Sequence, residues 1–135
     1  MIEYKNNVNG IDETMLCGFF VGWPNPPSLM KHLEILKGSY CFWLAVDTDK
    51  NKVVGFITAV SDGVLAAYIP LLEVLPTYQN LGIGKQLLSL MLDSLKNFYM
   101  IDLLCDADKQ SYYAKWGMKT ASGAFLRNFN KQSCE

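Results

Sequence analysis

The run from Leu71 to Lys85, Leu-Leu-Glu-Val-Leu-Pro-Thr-Tyr-Gln-Asn-Leu-Gly-Ile-Gly-Lys, carries an apolar strand into two glycines that open an amphipathic helix. Beyond Gly82 the apolar residues Ile83, Leu87, Leu90, Met91, Leu95 and Phe98 fall at helical spacing, so one face of a helix beginning at the glycines is buried. The first turn of such a helix leaves backbone N–H groups without intrahelical partners, and the macrodipole adds about half a positive charge there. That end suits an anion, phosphate above all. Gly82 and Gly84 have no β-carbon, so phosphate oxygens can approach the amides of Leu81 to Lys85, and Lys85 adds a formal charge nearby.

Spacing excludes two familiar phosphate loops. A Walker loop requires a glycine five residues before Gly-Lys and a hydroxyl after it, where this chain has Gln79 and Gln86. A dinucleotide fingerprint requires a third glycine where Leu87 stands.

The 135 residues, 50% of them hydrophobic, are expected to form one domain over residues 1–135 with a single core. Twelve basic and 13 acidic residues give a formal charge of −1 without a long run of either sign, so no nucleic-acid footprint is expected. Met1 to Lys5 lacks the basic and apolar regions of a signal peptide, and a cytoplasmic location is expected. The apolar run near Val64 to Leu72 is broken by Pro70 and falls short of the roughly 18 residues that span a membrane, so no membrane insertion is expected. Cys17, Cys41, Cys105 and Cys134 have no paired spacing and His32 is the lone histidine, which suggests neither metal nor disulfide framework. A single histidine with no nucleophile motif also makes Ser–His–Asp chemistry a poor reading.

Along the chain, Ile2 to Lys5 reads as a strand and Asp12 to Phe20 as a helix. Gly22 to Pro27 holds three prolines and reads as an ordered loop. Ser28 caps a second helix whose buried face is Leu29, Leu33 and Leu36, with Gly38 expected in the left-handed conformation after its end. Strands follow at Cys41 to Asp47, Val53 to Val60 and Val64 to Leu75, joined by short turns that imply antiparallel neighbours. Pro70 cannot donate to a ladder, so the third of these strands is unpaired or bulged there, and the sheet opens. After the glycine-led helix, Met100 to Cys105 reads as a strand, Lys109 to Lys115 as a short helix and Ala124 to Phe129 as a closing strand.

Val74-Leu-Pro76 followed by Gln79-Asn-Leu-Gly-Ile-Gly84 resembles the GNAT superfamily of acetyl-CoA-dependent N-acyltransferases. Ser111-Tyr-Tyr-Ala-Lys-Trp-Gly-Met118 resembles the family's later Phe-Tyr-Glu-Lys-x-Gly-Phe segment, and Val53-Val-Gly-Phe-Ile57 resembles its third strand. The resemblance covers roughly residues 40 to 118. It implies an α/β (α+β type) fold, with a mixed, mostly antiparallel twisted sheet flanked by about four helices. The sheet would splay between the strands on either side of the cofactor-binding helix.

The resemblance implies that acetyl-CoA is the co-substrate, with no metal. Its diphosphate would lie at Gln79, Asn80, Leu81, Gly82, Ile83, Gly84 and Lys85, and its pantetheine arm would pair with backbone groups of Leu72, Glu73 and Val74 like an added strand. The Val74 amide could polarise the thioester carbonyl. The implied reaction is direct attack of a primary amine through a tetrahedral intermediate that expels a thiolate. A base must deprotonate an amine of pKa about 10.4, and an acid helps a thiol of pKa about 8.5 to leave.

Matching the later motif places the family's acid on Tyr113, with Tyr112 as the packing aromatic; the alternative for Tyr113 is an aromatic that anchors a short helix. Relatives often carry asparagine seven residues before that tyrosine and alanine four before, where this chain has Asp106 and Lys109. Asp106 is a candidate for the cofactor arm or a relay water, or is a solvated aspartate. No residue matches the carboxylate that many relatives place in mid-strand. Glu73 is the candidate base, on the argument that burial would raise its pKa, against the alternative of a solvated edge.

His32 and Trp23 are candidates to face the acceptor; the alternatives are a surface histidine beside a leucine stripe and a tryptophan that stiffens a loop. The acceptor would be a small-molecule or peptide amine, and a homodimer is left open. A non-catalytic acyl-CoA-binding module is the alternative function, and a binder of some other phosphate-bearing ligand is a third.

Overall fold

Alternating apolar residues and short polar turns produce a meander that the computed structural model, which describes residues 1–135, resolves into a five-stranded sheet. The strands are β1 (Ile2–Lys5), β2 (Cys41–Asp47), β3 (Lys52–Ser61), β4 (Ala66–Val74) and β5 (Met100–Asp102), and they lie side by side in chain order. Neighbours are antiparallel except β4 and β5, which are parallel. A parallel pair needs a long crossover, and helix α2 (Ile83–Ser94) supplies it. Helices α1 (Leu29–Gly38) and α3 (Gln110–Ala114) complete the regular structure, three α-helices where about four were expected.

β3 is buried along most of its length because elements cover both faces of the sheet. α2 covers one with Ile83, Leu87, Leu88, Met91 and Leu95, and each such side chain contributes about 1.5–3 kcal/mol by leaving water. Leu88, absent from the expected stripe, is fully buried, whereas Leu90 is only partly so. Gly55 lets helix and strand approach: a β-carbon there would stand 3.1 Å from Leu87 and 3.2 Å from Ile83.

The Ser28 cap is formed, its hydroxyl accepting from the Lys31 amide at 3.1 Å. The bulge at Pro70 is also present. Thr58 pairs with Leu71 and Val60 with Tyr68, so Ile69 and Pro70 together oppose Ala59.

Five expectations are corrected. Asp12 to Phe20 forms only a 3-10 turn at Glu13–Leu16, because Gly18 and Phe20 take left-handed φ values of 99° and 62° that no helix continues through. Gly38 ends α1 in ordinary helical conformation, and the chain leaves at extended Ser39. β4 starts at Ala66 rather than Val64, since the Asp62 carboxylate gathers the amides of Val64, Leu65 and Ala66 into a loop. β5 stops at Asp102, where the chain parts from β4. Ala124 to Phe129 pairs with no strand.

Candidate active site

Parting of β4 from β5 after the Tyr68–Asp102 pair leaves the second edge of β4 without a neighbour from Ile69 to Val74. A cleft of 670 Å³ occupies the gap. Its walls are Ile69, Pro70, Leu72 and Val74 on one side and Leu103 to Asp106 on the other, and the loop from Tyr78 to Lys85 closes one end. Of the residues singled out for the cofactor, Leu72, Val74, Gln79, Asn80, Gly82, Ile83, Gly84, Lys85 and Asp106 all border this one cleft. Leu81 does not; its side chain is 69% exposed.

None of the backbone N–H groups from Asn80 to Lys85 has a hydrogen-bond partner in the chain, and the first one used is that of Gln86, which donates to Gly82 at 3.0 Å. Asn80 and Gly82 both have positive φ, 63° and 83°. A β-carbon on Gly82 would meet nothing within 4 Å, so the space over the loop is open. An array of free amides with Lys85 beside it is a donor set suited to a diphosphate, and the open β4 edge suits an amide-bearing arm.

The loop is braced from behind. The Gln79 side-chain amide donates to the Val74 carbonyl at 3.1 Å, which ties loop to strand end. Tyr78 donates its hydroxyl to Asp47 at 2.6 Å, and Asp47, 7% exposed, also accepts from the amides of Asp49 and Lys50. That tyrosine bond holds the Asp47 carboxyl below its ordinary range and pushes the Tyr78 phenol up. Sequence reasoning missed this brace, because Asp47 ends β2 thirty-one positions away. It missed Lys109 as well, which adds a second amine to the cleft wall.

Tyr113, on α3, is half-buried and borders both this cleft and a neighbouring one of 970 Å³. Burial pushes its phenol up, as do Cys105 and Tyr112 nearby, so it holds its proton at neutral pH. Tyr112 packs edge-on against it with centroids 5.2 Å apart.

Glu73 lies apart from the cleft. Side chains alternate along a strand, so with Leu72 and Val74 facing the cleft Glu73 points to the opposite face. There its carboxylate accepts from the amides of Phe20 at 2.9 Å and Val21 at 3.3 Å, clamping the left-handed turn at Phe20.

His32 is corrected from a surface position to a buried one. It is 1% exposed among the rings of Phe19, Phe20 and Phe56, with neither ring nitrogen hydrogen-bonded, and burial lowers its pKa to about 4. It borders neither cleft. Trp23, 39% exposed, tilts against Phe20 at 4.8 Å and stands at the surface over this aromatic group.

A splayed sheet with a glycine-led helix at the opening defines a class. Over residues 8–118 the chain matches the acetyltransferase (GNAT) family, and it belongs to that family. It is 31% identical over 126 residues to an uncharacterized N-acetyltransferase of Pyropia yezoensis, covering 86% of this chain and 72% of that one. A crystal structure of a Deinococcus radiodurans R1 protein assigned as an acetyltransferase is 42% identical, with TM-score 0.94, covering 98% of this chain and 92% of the other. A GNAT-family acetyltransferase from Streptococcus pneumoniae TIGR4 is 28% identical with TM-score 0.73, covering 95% and 98%.

Proposed function

We propose that this acyltransferase moves an acetyl group from acetyl-CoA to a primary amine. The observation that carries the proposal is the row of unpartnered amides from Asn80 to Lys85, which opens into the same cleft as the free edge of β4 and Tyr113. When bound, acetyl-CoA supplies an activated acyl carbonyl and a thiolate leaving group. The chain's part is to hold and to protonate. Amides of Asn80 to Lys85 and the Lys85 ammonium neutralise the diphosphate, while Leu72 to Val74 offer backbone groups to the arm. Tyr113, protonated at neutral pH and bordering the cleft, is the residue to deliver a proton to the leaving sulfur.

The base assignment belongs to Glu73. Its carboxylate faces away from the cleft, the side from which an acceptor amine would have to approach if the arm fills the gap. Measuring release of CoA thiol across a panel of amines tests the proposal; turnover with at least one amine is expected. The two backbone N–H groups that donate hydrogen bonds to the Glu73 carboxylate favour one competing reading, a domain that binds acyl-CoA without turnover. Saturable CoA binding with no thiol release on any amine would establish that reading instead. Glu73→Gln separates the roles of the carboxylate: a base leaves an altered pH–rate profile, whereas a loop clamp leaves the profile unchanged.

A further inference from the structure

The loop that carries the free amides has little of its own to hold it in shape. Residues 80–82 are exposed, and Asn80 keeps a left-handed φ that is unfavourable for any residue with a β-carbon. Nearly all hydrogen bonds of residues 76–82 stay within five positions: the Tyr78 and Gln79 amides donate to Leu75 and Pro76, the Gln79 side chain donates to Val74, and Gly82 accepts from Gln86. The exception is the Tyr78 hydroxyl, which donates at 2.6 Å to Asp47, 31 positions away.

That acceptor is immobile. Asp47 ends β2, pairs with Ile2 on one side and Lys52 on the other, and is nearly buried. Its Oδ1 accepts from the amides of Asp49 and Lys50 and so shapes the turn at residues 48–51. Its Oδ2 takes no part in the turn and receives Tyr78. The same turn touches the same side chain a second time, since the Lys50 ammonium stands 5.8 Å from the centre of the Tyr78 ring. Tyr78 borders the cleft that holds the glycines, whereas Asp47 and Lys50 border neither cleft.

A hydrogen bond to an ionised, nearly buried carboxylate is among the stronger ties a side chain makes. A loop that samples several shapes binds its ligand in proportion to the fraction already in the right one, so a tie of this kind acts on affinity. We infer that the turn at residues 48–51 is a remote part of the coenzyme site: Asp47 is a positioning residue that, through Tyr78, holds the amides of Asn80 to Lys85 ready for a diphosphate. The inference rests on the function proposed above and assigns the pair to coenzyme affinity, not to the chemical step. Coupling of this kind is reciprocal, so bound coenzyme steadies the turn as much as the turn favours the coenzyme.

Titration calorimetry with CoA on the full chain tests the inference. Tyr78→Phe keeps the ring and both turn hydrogen bonds, and should raise Kd for CoA about 10-fold. With an amine that turns over, KM for acetyl-CoA should rise by the same factor while kcat stays within about 2-fold. Asp47→Asn is the conservative variant: its carbonyl oxygen keeps the turn bonds and its amide can donate to the Tyr78 oxygen, so the rise should be only about 3-fold. The double variant should bind no worse than Tyr78→Phe alone. A purely structural pair would instead lower the urea midpoint and leave Kd unchanged. Hydrogen exchange on the wild-type chain is an independent readout that needs no variant to fold. Saturating CoA should slow exchange of the Asp49 and Lys50 amides and leave those of Val64, Leu65 and Ala66, which Asp62 holds in the same manner, unchanged. Tyr78→Phe that binds CoA as tightly as the wild type, a fall in kcat at constant KM, or exchange at Asp49 and Lys50 that ignores CoA overturns the inference alone. A wild-type chain that binds no CoA overturns the proposed function with it.

Discussion

Every buried residue of this chain lies at or before Leu95, and Lys96 to Glu135 contributes none. The first region holds its own core, in which α2 and the Met15–Phe20 segment sandwich β3. The second region holds α3, Tyr113 and one wall of each cleft, on half-buried contacts such as Tyr112, Tyr113 and Trp116. A region with few buried apolar contacts opens at low free-energy cost, so its order is easily improved by whatever binds it. The buried core and the proposed proton donor Tyr113 therefore lie in different parts of the sequence, and substitutions at the two should fail in different ways.

The largest effect is expected in the core. Leu87→Ala should cost about 2–5 kcal/mol in urea unfolding, because Leu87 is fully buried against β3 and its loss leaves a cavity. Acidification probes the same region through His32. The folded chain keeps His32 neutral to about pH 4, while the unfolded chain takes up a proton near 6.5, so stability should fall as pH drops between those values. The loss should approach about 3 kcal/mol, be absent above pH 6.5, and vanish in His32→Leu. Below that window Asp12, Asp47 and Asp62, all held under their ordinary range, take over the acid dependence.

Tyr113→Phe should behave in the opposite manner, with stability unchanged to within about 0.5 kcal/mol and kcat lower by about 100-fold. An equal loss of stability in this variant would erase the distinction between the regions. The smallest of these effects is expected at the junction: Gly82→Val forces a branched side chain into φ of 83° and should weaken CoA binding by about 10-fold, through roughly 1–2 kcal/mol of strain.

The core region was largely legible in the sequence because its signals are local. The period of α2, the Ser28 cap and the Pro70 bulge each follow from residues within a few positions. The glycine loop was legible for the same reason. What local pattern could not give was long-range: Glu73 reaching the turn at Phe20, Asp47 bracing Tyr78, and three phenylalanines closing over His32. Phe20 shows why the first helix failed, since left-handed φ at a non-glycine residue leaves no mark in an apolar run. Ala124 to Phe129 has the pattern of a strand but pairs with no other, and pattern alone does not say where a neighbouring strand lies.

The central claim is that the free amides of Asn80 to Lys85 receive the diphosphate of CoA. Backbone amide NMR on the labelled chain during titration with CoA tests it most directly. Saturable shifts at Asn80 to Lys85 and along Ile69 to Val74, with β1 and β2 unmoved, are the predicted result. No shifts at millimolar CoA, or shifts confined to other parts of the chain, would contradict it.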